Sequence, residues 1–373
     1  MKLLVDGNVY RWQRNGGISR VFNQILPRLI EADPDLNLYV IVANPANCPI
    51  PATPRCHIIT APNISLPLKP WRLWHKVQEQ VNNLLMIKNI LLIKPDVFIS
   101  TYYTLPSINI PSVCVIYDMI PEKFPEWFSD QYSRHIIHRK TLAVKSAKKI
   151  ICISENTKKD LIEMLHVPSE KCTVVYPAQF VSSLAEENSD SSATKDSFFL
   201  YVGDYKSKYK NFECVLKAMA LLASTGMAGL KLYVVTSLGL PSSGDQQRYS
   251  AIFPQGSVEF VESCSDAFLG SLYRKCLAYV CPSFYEGFGI PLVEALSYGA
   301  PVACSHTSAM PEICGDVAHY FDPLSPRECA EAMRLCVAEG RADGIVKLRK
   351  ERSARYSWDE SAKRYLSVIK SVL

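Results

Sequence analysis

Short apolar runs that stop at Gly, Pro, Asp or Ser alternate with helical runs along most of this 373-residue chain, and that alternation limits the fold more than any other feature. In the first half, strand patterns at 2–6, 38–43, 56–61, 97–101, 113–117, 150–154 and 173–176 are interleaved with helical patterns from about 18, over 71–92 and 131–147, and up to about 166. The second half repeats the scheme, with strands at 198–202, 231–236, 258–262, 278–283 and 301–305 and helices from 211, over 266–276 and over 291–299. Such alternation predicts doubly wound parallel sheets, α/β in class, because each helix must cross back over the sheet to reach the next parallel strand. Residues 182–197, SSLAEENSDSSATKDS, are polar and aperiodic and divide the two halves. The expected organisation is therefore a first domain over 1–180, a linker over 181–197, a second domain over 198–356 and a terminal helix over 357–373. That helix carries Trp358, Ala362, Tyr365, Leu366 and Ile369 at helical spacing. It is expected to pack back across the domain junction, a conventional C-terminal helix being the simpler alternative.

Composition narrows the class. At 48% apolar and 21% charged residues the chain reads as a soluble globular protein, and its length suggests two cores rather than one. The 13 cysteines are scattered without a Cys-x-x-Cys, several of them inside apolar strand runs, so they read as small core residues of a reduced, cytoplasmic compartment. The chain opens on a strand pattern rather than a charged leader, and it has no apolar run long enough to span a bilayer. Residues 1–180 hold 21 Lys and Arg against 14 Asp and Glu, making the first half the basic one. That half is the likelier face for an acidic partner; the excess is modest and no nucleic-acid motif accompanies it, so a nucleic-acid reader is less expected.

The densest chemical signal is residues 278–305, AYVCPSFYEGFGIPLVEALSYGAPVACS. A buried strand leads to Glu286, then Gly287-Phe288-Gly289 and Ile290, and a helix follows with Pro291 near its start, Glu294 inside and Gly299 past its end. Ligands of open α/β sheets bind beyond the carboxyl ends of the strands, and free N–H groups at a helix start favour an anion. The loop Glu286 to Ile290 occupies that place. Glu286 can accept hydrogen bonds from vicinal hydroxyls, while Glu294 either reaches a ribose or simply complements the helix dipole.

From 198 to 323 the sequence resembles the family-4 retaining glycosyltransferases, whose GT-B fold is two Rossmann-like doubly wound domains facing a cleft. The matching segments run in order: FFLYVGDYKSKYKNFECVLKAM, VEFVE with LGSLYRKCLAYVCPS, YEGFGIPLVEALSYGAPVACS and MPEICGDVAHYFDP, with weaker likeness in GGISRV, VIYDMIPEKFPEWF and IICISENTKKDL. The resemblance implies that Glu286 binds hydroxyls of a donor sugar, Glu294 the nucleotide ribose, and the backbone of Gly287, Phe288 and Gly289 the sugar and diphosphate. It makes Lys210 the cation on the diphosphate, against the plain alternative of a solvated lysine at a helix start. Many relatives place Arg after the glycine matching Gly203; Asp204 stands there, leaving Lys206 or Lys208 to supply a second charge. In the first half, Gly16-Gly17 would admit the donor phosphate, and Asp118, after Tyr117 in place of a histidine, would bind acceptor or donor sugar or else cap a turn.

The implied enzyme is a metal-independent retaining hexosyltransferase with no cofactor, using a GDP- or UDP-linked sugar as substrate. VIYDMIPEKFPEWF resembles relatives that use GDP-mannose in surface polysaccharide assembly, so mannosyl transfer to a glycan or lipid-linked acceptor is the expectation. The first domain then binds acceptor and the second the nucleotide sugar. A sugar-nucleotide epimerase of similar fold, or a non-catalytic partner subunit, are the alternatives, while a starch- or glycogen-type synthase would carry a lysine just before Gly16-Gly17. The basic, aromatic segment 67–94, with Trp71 and Trp74 beside Arg72, His75 and Lys76, suits either the surface of an anionic membrane or an ordinary helix packed on the first sheet.

Overall fold

The computed structural model describes residues 1–12, 17–44, 50–51, 53–62, 81, 84–104, 106, 108–180, 197–227, 229–253 and 257–373. Gly16, the expected linker at 181–196, and 67–80 with 82–83 of the aromatic segment lie outside the described residues. The chain divides into two units, Met1–Tyr176 together with Trp358–Leu373, and Pro177–Ser357.

The first unit is built on a seven-stranded, wholly parallel sheet. Its strands are β1 (Lys2–Asp6), β2 (Asn37–Asn44), β3 (Cys56–Pro62), β4 (Val97–Ser100), β5 (Ser112–Ile116), β6 (Lys149–Cys152) and β7 (Cys172–Val174), in the order β3-β2-β1-β4-β5-β6-β7. The chain runs outward from β1 in one direction and then from β4 in the other, so the order reverses between these two neighbours. Every residue of β4 and β5 is buried, as parallel strands covered on both faces must be. Helices fill the crossovers; Gln131–Ser146 starts at Asp130, whose carboxylate accepts from the N–H groups of Tyr132 and Ser133.

The terminal helix Trp358–Lys370 belongs to this first unit. It buries Trp358, Ala362, Tyr365, Leu366 and Ile369 along one face and packs against the helix Gly17–Ala32. Polar ties fix its two ends. Asp359 accepts from Arg28 at 2.7 Å and Lys370 donates to Asp33 at 2.7 Å, while the Val372 carbonyl accepts from Lys148 at 2.7 Å. The apolar spacing thus identifies the buried face, and the ion pairs set its register.

The second unit repeats the architecture with a six-stranded parallel sheet. Its strands are β8 (Phe198–Val202), β9 (Lys231–Thr236), β10 (Ser257–Glu262), β11 (Ala278–Cys281), β12 (Val302–Ser305) and β13 (His319–Phe321), ordered β10-β9-β8-β11-β12-β13. Order reverses here between β8 and β11. An aromatic cluster of Tyr201, Tyr205, Phe212, Tyr249 and Phe260 packs mostly edge-on beneath the β8 side, with Tyr249 and Phe260 stacked and centroids 5.0–6.2 Å apart.

Candidate active site

Strand order explains how two residues 76 positions apart meet. Lys210 ends the 3-10 turn Lys208–Lys210 that follows β8, and Glu286 lies in the loop that follows β11. Because β8 and β11 are hydrogen-bonded neighbours at the switch point, both loops emerge at one crevice beyond the carboxyl ends of the sheet. Lys210 Nζ donates to both oxygens of Glu286, at 2.7 and 3.0 Å. Asn211, in the left-handed region at φ 53°, anchors the turn by donating to the carbonyls of Pro282 and Pro323 at 3.0 and 2.7 Å. The Phe284 N–H closes the arrangement on the Tyr209 carbonyl at 2.8 Å.

The pair is mostly withdrawn from water, with 19% of the Lys210 side chain and 12% of the Glu286 side chain exposed. Burial alone would push the Lys210 ammonium down, but the Glu286 carboxylate outweighs it and holds the lysine above its ordinary value. Ser283 Oγ donates to Glu286 Oε1 at 2.6 Å, and the Glu286 N–H donates to Ser308 Oγ at 2.9 Å. These two serines hold the carboxylate and its backbone, and neither stood out in the sequence. Ser283 carried a faint signal as the first polar residue after a buried strand; Ser308 carried none, since its role depends on the β12 loop folding over Glu286. Beneath them the Cys281 thiol is pushed up to about 12 by burial and the adjacent Glu286, so it stays neutral.

The glycine turn has a structural cause as well as a chemical one. Gly289 has φ 92° and caps the helix Ile290–Ser297, and a Cβ there would be strained by that backbone and lie 2.7 Å from Leu292 Cδ1, so glycine is favoured. Phe288 turns inward, 2% exposed and edge-on to Tyr356 at 5.3 Å, which pins the loop from below. Gly287 is buried and Ile290 half-buried at the helix start. Glu294 lies in that helix and is 3% exposed, accepting from the Tyr273 hydroxyl at 3.1 Å and the Phe180 N–H at 3.4 Å. It belongs to the same unit as Lys210 and Glu286.

Asp204, which stands where many relatives carry Arg, shapes the loop that delivers Lys210. Its carboxylate accepts from the N–H groups of Lys206 and Ser207, at 2.7 and 3.1 Å, and from the Ser207 hydroxyl. Lys206 is exposed and lies 5.4 Å from the Tyr205 ring centroid, and Lys208 is also exposed.

In the first unit, Gly17 opens the helix Gly17–Ala32 and is exposed, and an added Cβ would meet nothing within 4 Å. Neither packing nor a left-handed backbone requires glycine there. Asp118 follows β5 with 31% of its side chain exposed, and its Oδ1 accepts from the Ile120 N–H at 3.1 Å. Tyr117 is buried and donates its hydroxyl to the Thr101 carbonyl at 2.9 Å. Among the described residues no cluster of three or more His, Cys, Asp or Glu is arranged to hold a metal. Asp33-Pro34-Asp35 has Asp-x-Asp spacing, yet Asp33 is occupied by Lys370 and the Asp35 N–H.

Two doubly wound parallel sheets, with a lysine–glutamate pair at the switch point of the second, define the GT-B class of glycosyltransferase folds. The chain belongs to that class by sequence too: residues 184–354 match the glycosyl transferases group 1 and residues 15–178 match glycosyltransferase family 4. It is 26% identical to O-antigen chain mannosyltransferase B of Escherichia coli over 223 residues, 57% of each protein. It is also 26% identical to the O-antigen chain mannosyltransferase RfbU of Salmonella typhimurium over 236 residues, 63% of each. The match thus spans less than two thirds of either relative's length. Among solved structures, sucrose-phosphate synthase from Thermosynechococcus elongatus superposes with a TM-score of 0.75 at 15% identity, covering 100% of this chain and 98% of that one. At that identity the likeness is one of fold.

Proposed function

We propose that the protein is a retaining hexosyltransferase that moves a sugar from a nucleoside diphosphate to a glycan or lipid-linked acceptor in polysaccharide assembly, with mannose from GDP-mannose as donor. The observation that carries this reading is the bidentate contact of Lys210 with Glu286 at the switch point. A sugar diphosphate presents a hydroxylated ring and a dianionic leaving group side by side, and this crevice holds a carboxylate and an ammonium side by side. The similarity to two O-antigen mannosyltransferases supports mannose as the sugar.

In the proposed reaction Glu286 accepts hydrogen bonds from sugar hydroxyls and Lys210 takes the diphosphate oxygens. The bond from the anomeric carbon to the phosphate oxygen breaks as the bond to the acceptor oxygen forms on the same face. The acceptor proton passes to the departing phosphate oxygen. Lys210 and the N-terminus of the helix Ile290–Ser297 stabilise the charge that develops there, so no metal is required. Glu294 contributes the ribose contact, Gly17 gives backbone access to the donor phosphate, and Asp118 binds the sugar or acceptor near the reacting carbon. Among the described residues no helix is long and apolar enough to cross a membrane. We place the enzyme in the cytoplasm, peripheral on an anionic membrane through 67–94, of which 84–93 is helical with Leu84, Leu91 and Leu92 exposed.

Thermal-shift screening against GDP-, UDP- and ADP-sugars tests the donor, GDP-mannose being expected to stabilise most. Transfer is then assayed in chelator and with added Mn²⁺, and the anomeric configuration of the product is read by NMR. Inversion, or activity that vanishes in chelator and returns with Mn²⁺, overturns the mechanism. Conversion of the sugar nucleotide without any acceptor favours an epimerase. Co-sedimentation with anionic liposomes checks the membrane assignment.

A further inference from the structure

A buried lysine sits directly under Asp118. Lys140, in the helix Gln131–Ser146, has 1% of its side chain exposed. Its ammonium donates to the Asp118 carbonyl at 2.9 Å and to Glu122 Oε2 at 2.9 Å, lies 3.9 Å from Asp118 Oδ1, and stands 5.3 Å from the Tyr103 ring centroid. Glu122 is in the four-residue helix Ile120–Lys123, which starts two residues after Asp118, and only 6% of its side chain is exposed. Its other oxygen, Oε1, is buried with no hydrogen-bond partner among the described residues.

As a stability device this arrangement is poor. Burying two opposite charges costs desolvation, a well-packed apolar pair often does as well, and here one carboxylate oxygen is left unsatisfied. What the ammonium does hold is geometry. It grips Asp118 from below at its carbonyl, while the Ile120 N–H grips the carboxylate, and only the outer part of Asp118 is left exposed. We propose that Lys140 is a positioning residue for the transfer reaction: it sets the orientation of the Asp118 carboxylate, and Glu122 serves as the counter-ion that makes a buried lysine possible there. This rests on the reading of the protein as a glycosyltransferase in which Asp118 contacts substrate.

The test uses the full chain with its sugar-nucleotide donor. Lys140→Met leaves Glu122 buried and uncompensated, so a loss of Tm and of turnover together is expected. Lys140→Met/Glu122→Leu removes both charges and is expected to restore the Tm while turnover stays about 10-fold or more below wild type. Its affinity for the free nucleoside diphosphate is expected to match wild type, because Lys210 and Glu286 belong to the other unit. In an Asp118→Asn background the same double substitution is expected to have no further effect on turnover, since a residue acting through Asp118 has nothing left to orient. A double variant with wild-type turnover, or one whose effect is fully additive with Asp118→Asn, overturns the proposal while leaving the glycosyltransferase reading intact. A wild-type protein that transfers no sugar from any nucleotide donor overturns both.

Discussion

The ammonium of Lys210 bridges both carboxylate oxygens of Glu286, at 2.7 and 3.0 Å, so the cation proposed for the leaving group and the anion proposed for the sugar neutralise each other before substrate arrives. Donor binding must then exchange this contact for two new ones.

That exchange separates transfer from nucleotide binding when Glu286 is substituted. Glu286→Gln is expected to lower transfer on the order of 10²-fold, if about 2.7 kcal/mol of transition-state stabilisation is lost. Affinity for the free nucleoside diphosphate is expected to hold or rise, because Lys210 is released from its carboxylate. Steady-state kinetics and titration calorimetry on one preparation measure both, and an unchanged transfer rate removes Glu286 from the site.

Glycine has different causes at two positions, and alanine separates them. At Gly289 the backbone is left-handed and a Cβ would crowd Leu292, so Gly289→Ala is expected to cost about 1–3 kcal/mol of stability. At Gly17 the space is open, so Gly17→Ala is expected to leave the Tm level or slightly higher while donor affinity falls. Denaturant unfolding beside donor titration decides it; full donor affinity in Gly17→Ala would mean the helix start does not meet the phosphate.

Acid weakens the tie between the terminal helix and its unit. The hydrogen bond from Lys370 holds the Asp33 carboxyl below its ordinary value of 3.8. A carboxyl lowered on folding contributes stability that is present above its unfolded value and is lost as pH falls through the folded one. Asp33→Asn should therefore lower the stability near neutrality by a modest amount, up to about 1 kcal/mol for a half-exposed lysine partner, with a matching drop in Tm. The gap from wild type should close as the pH falls below that range, as thermal melts across a pH series would show.

Ile369 is completely buried on the inner face of the terminal helix. Ile369→Ala is expected to cost about 2–5 kcal/mol. Urea unfolding monitored by circular dichroism reads it directly, and a change under 1 kcal/mol would show that the helix packs loosely.

Much of the fold was legible because its determinants are local. Period-two and apolar runs mark β1, β5, β8, β11 and β12 whatever their neighbours, and the inner face of Trp358–Lys370 shows in its spacing. The second-unit site was partly legible for the same reason: Glu286, Gly287, Phe288, Gly289 and Glu294 fall in one strand-turn-helix segment, where the chain itself determines what stands next to what. Tertiary structure decided the rest, because strand order is not written in any local pattern. Placing β8 beside β11 brought Lys210 onto Glu286, and folding the loop after β12 put Ser308 on the Glu286 backbone. Packing of Gln131–Ser146 against the β5 loop drove Lys140 under Asp118, and the β8 loop made Asp204 a turn-former. Side chains far apart in sequence acquire a shared electrostatic environment only when the sheet assembles. The sequence could therefore single out Glu286, and only the assembled sheet could show that Lys210 neutralises it.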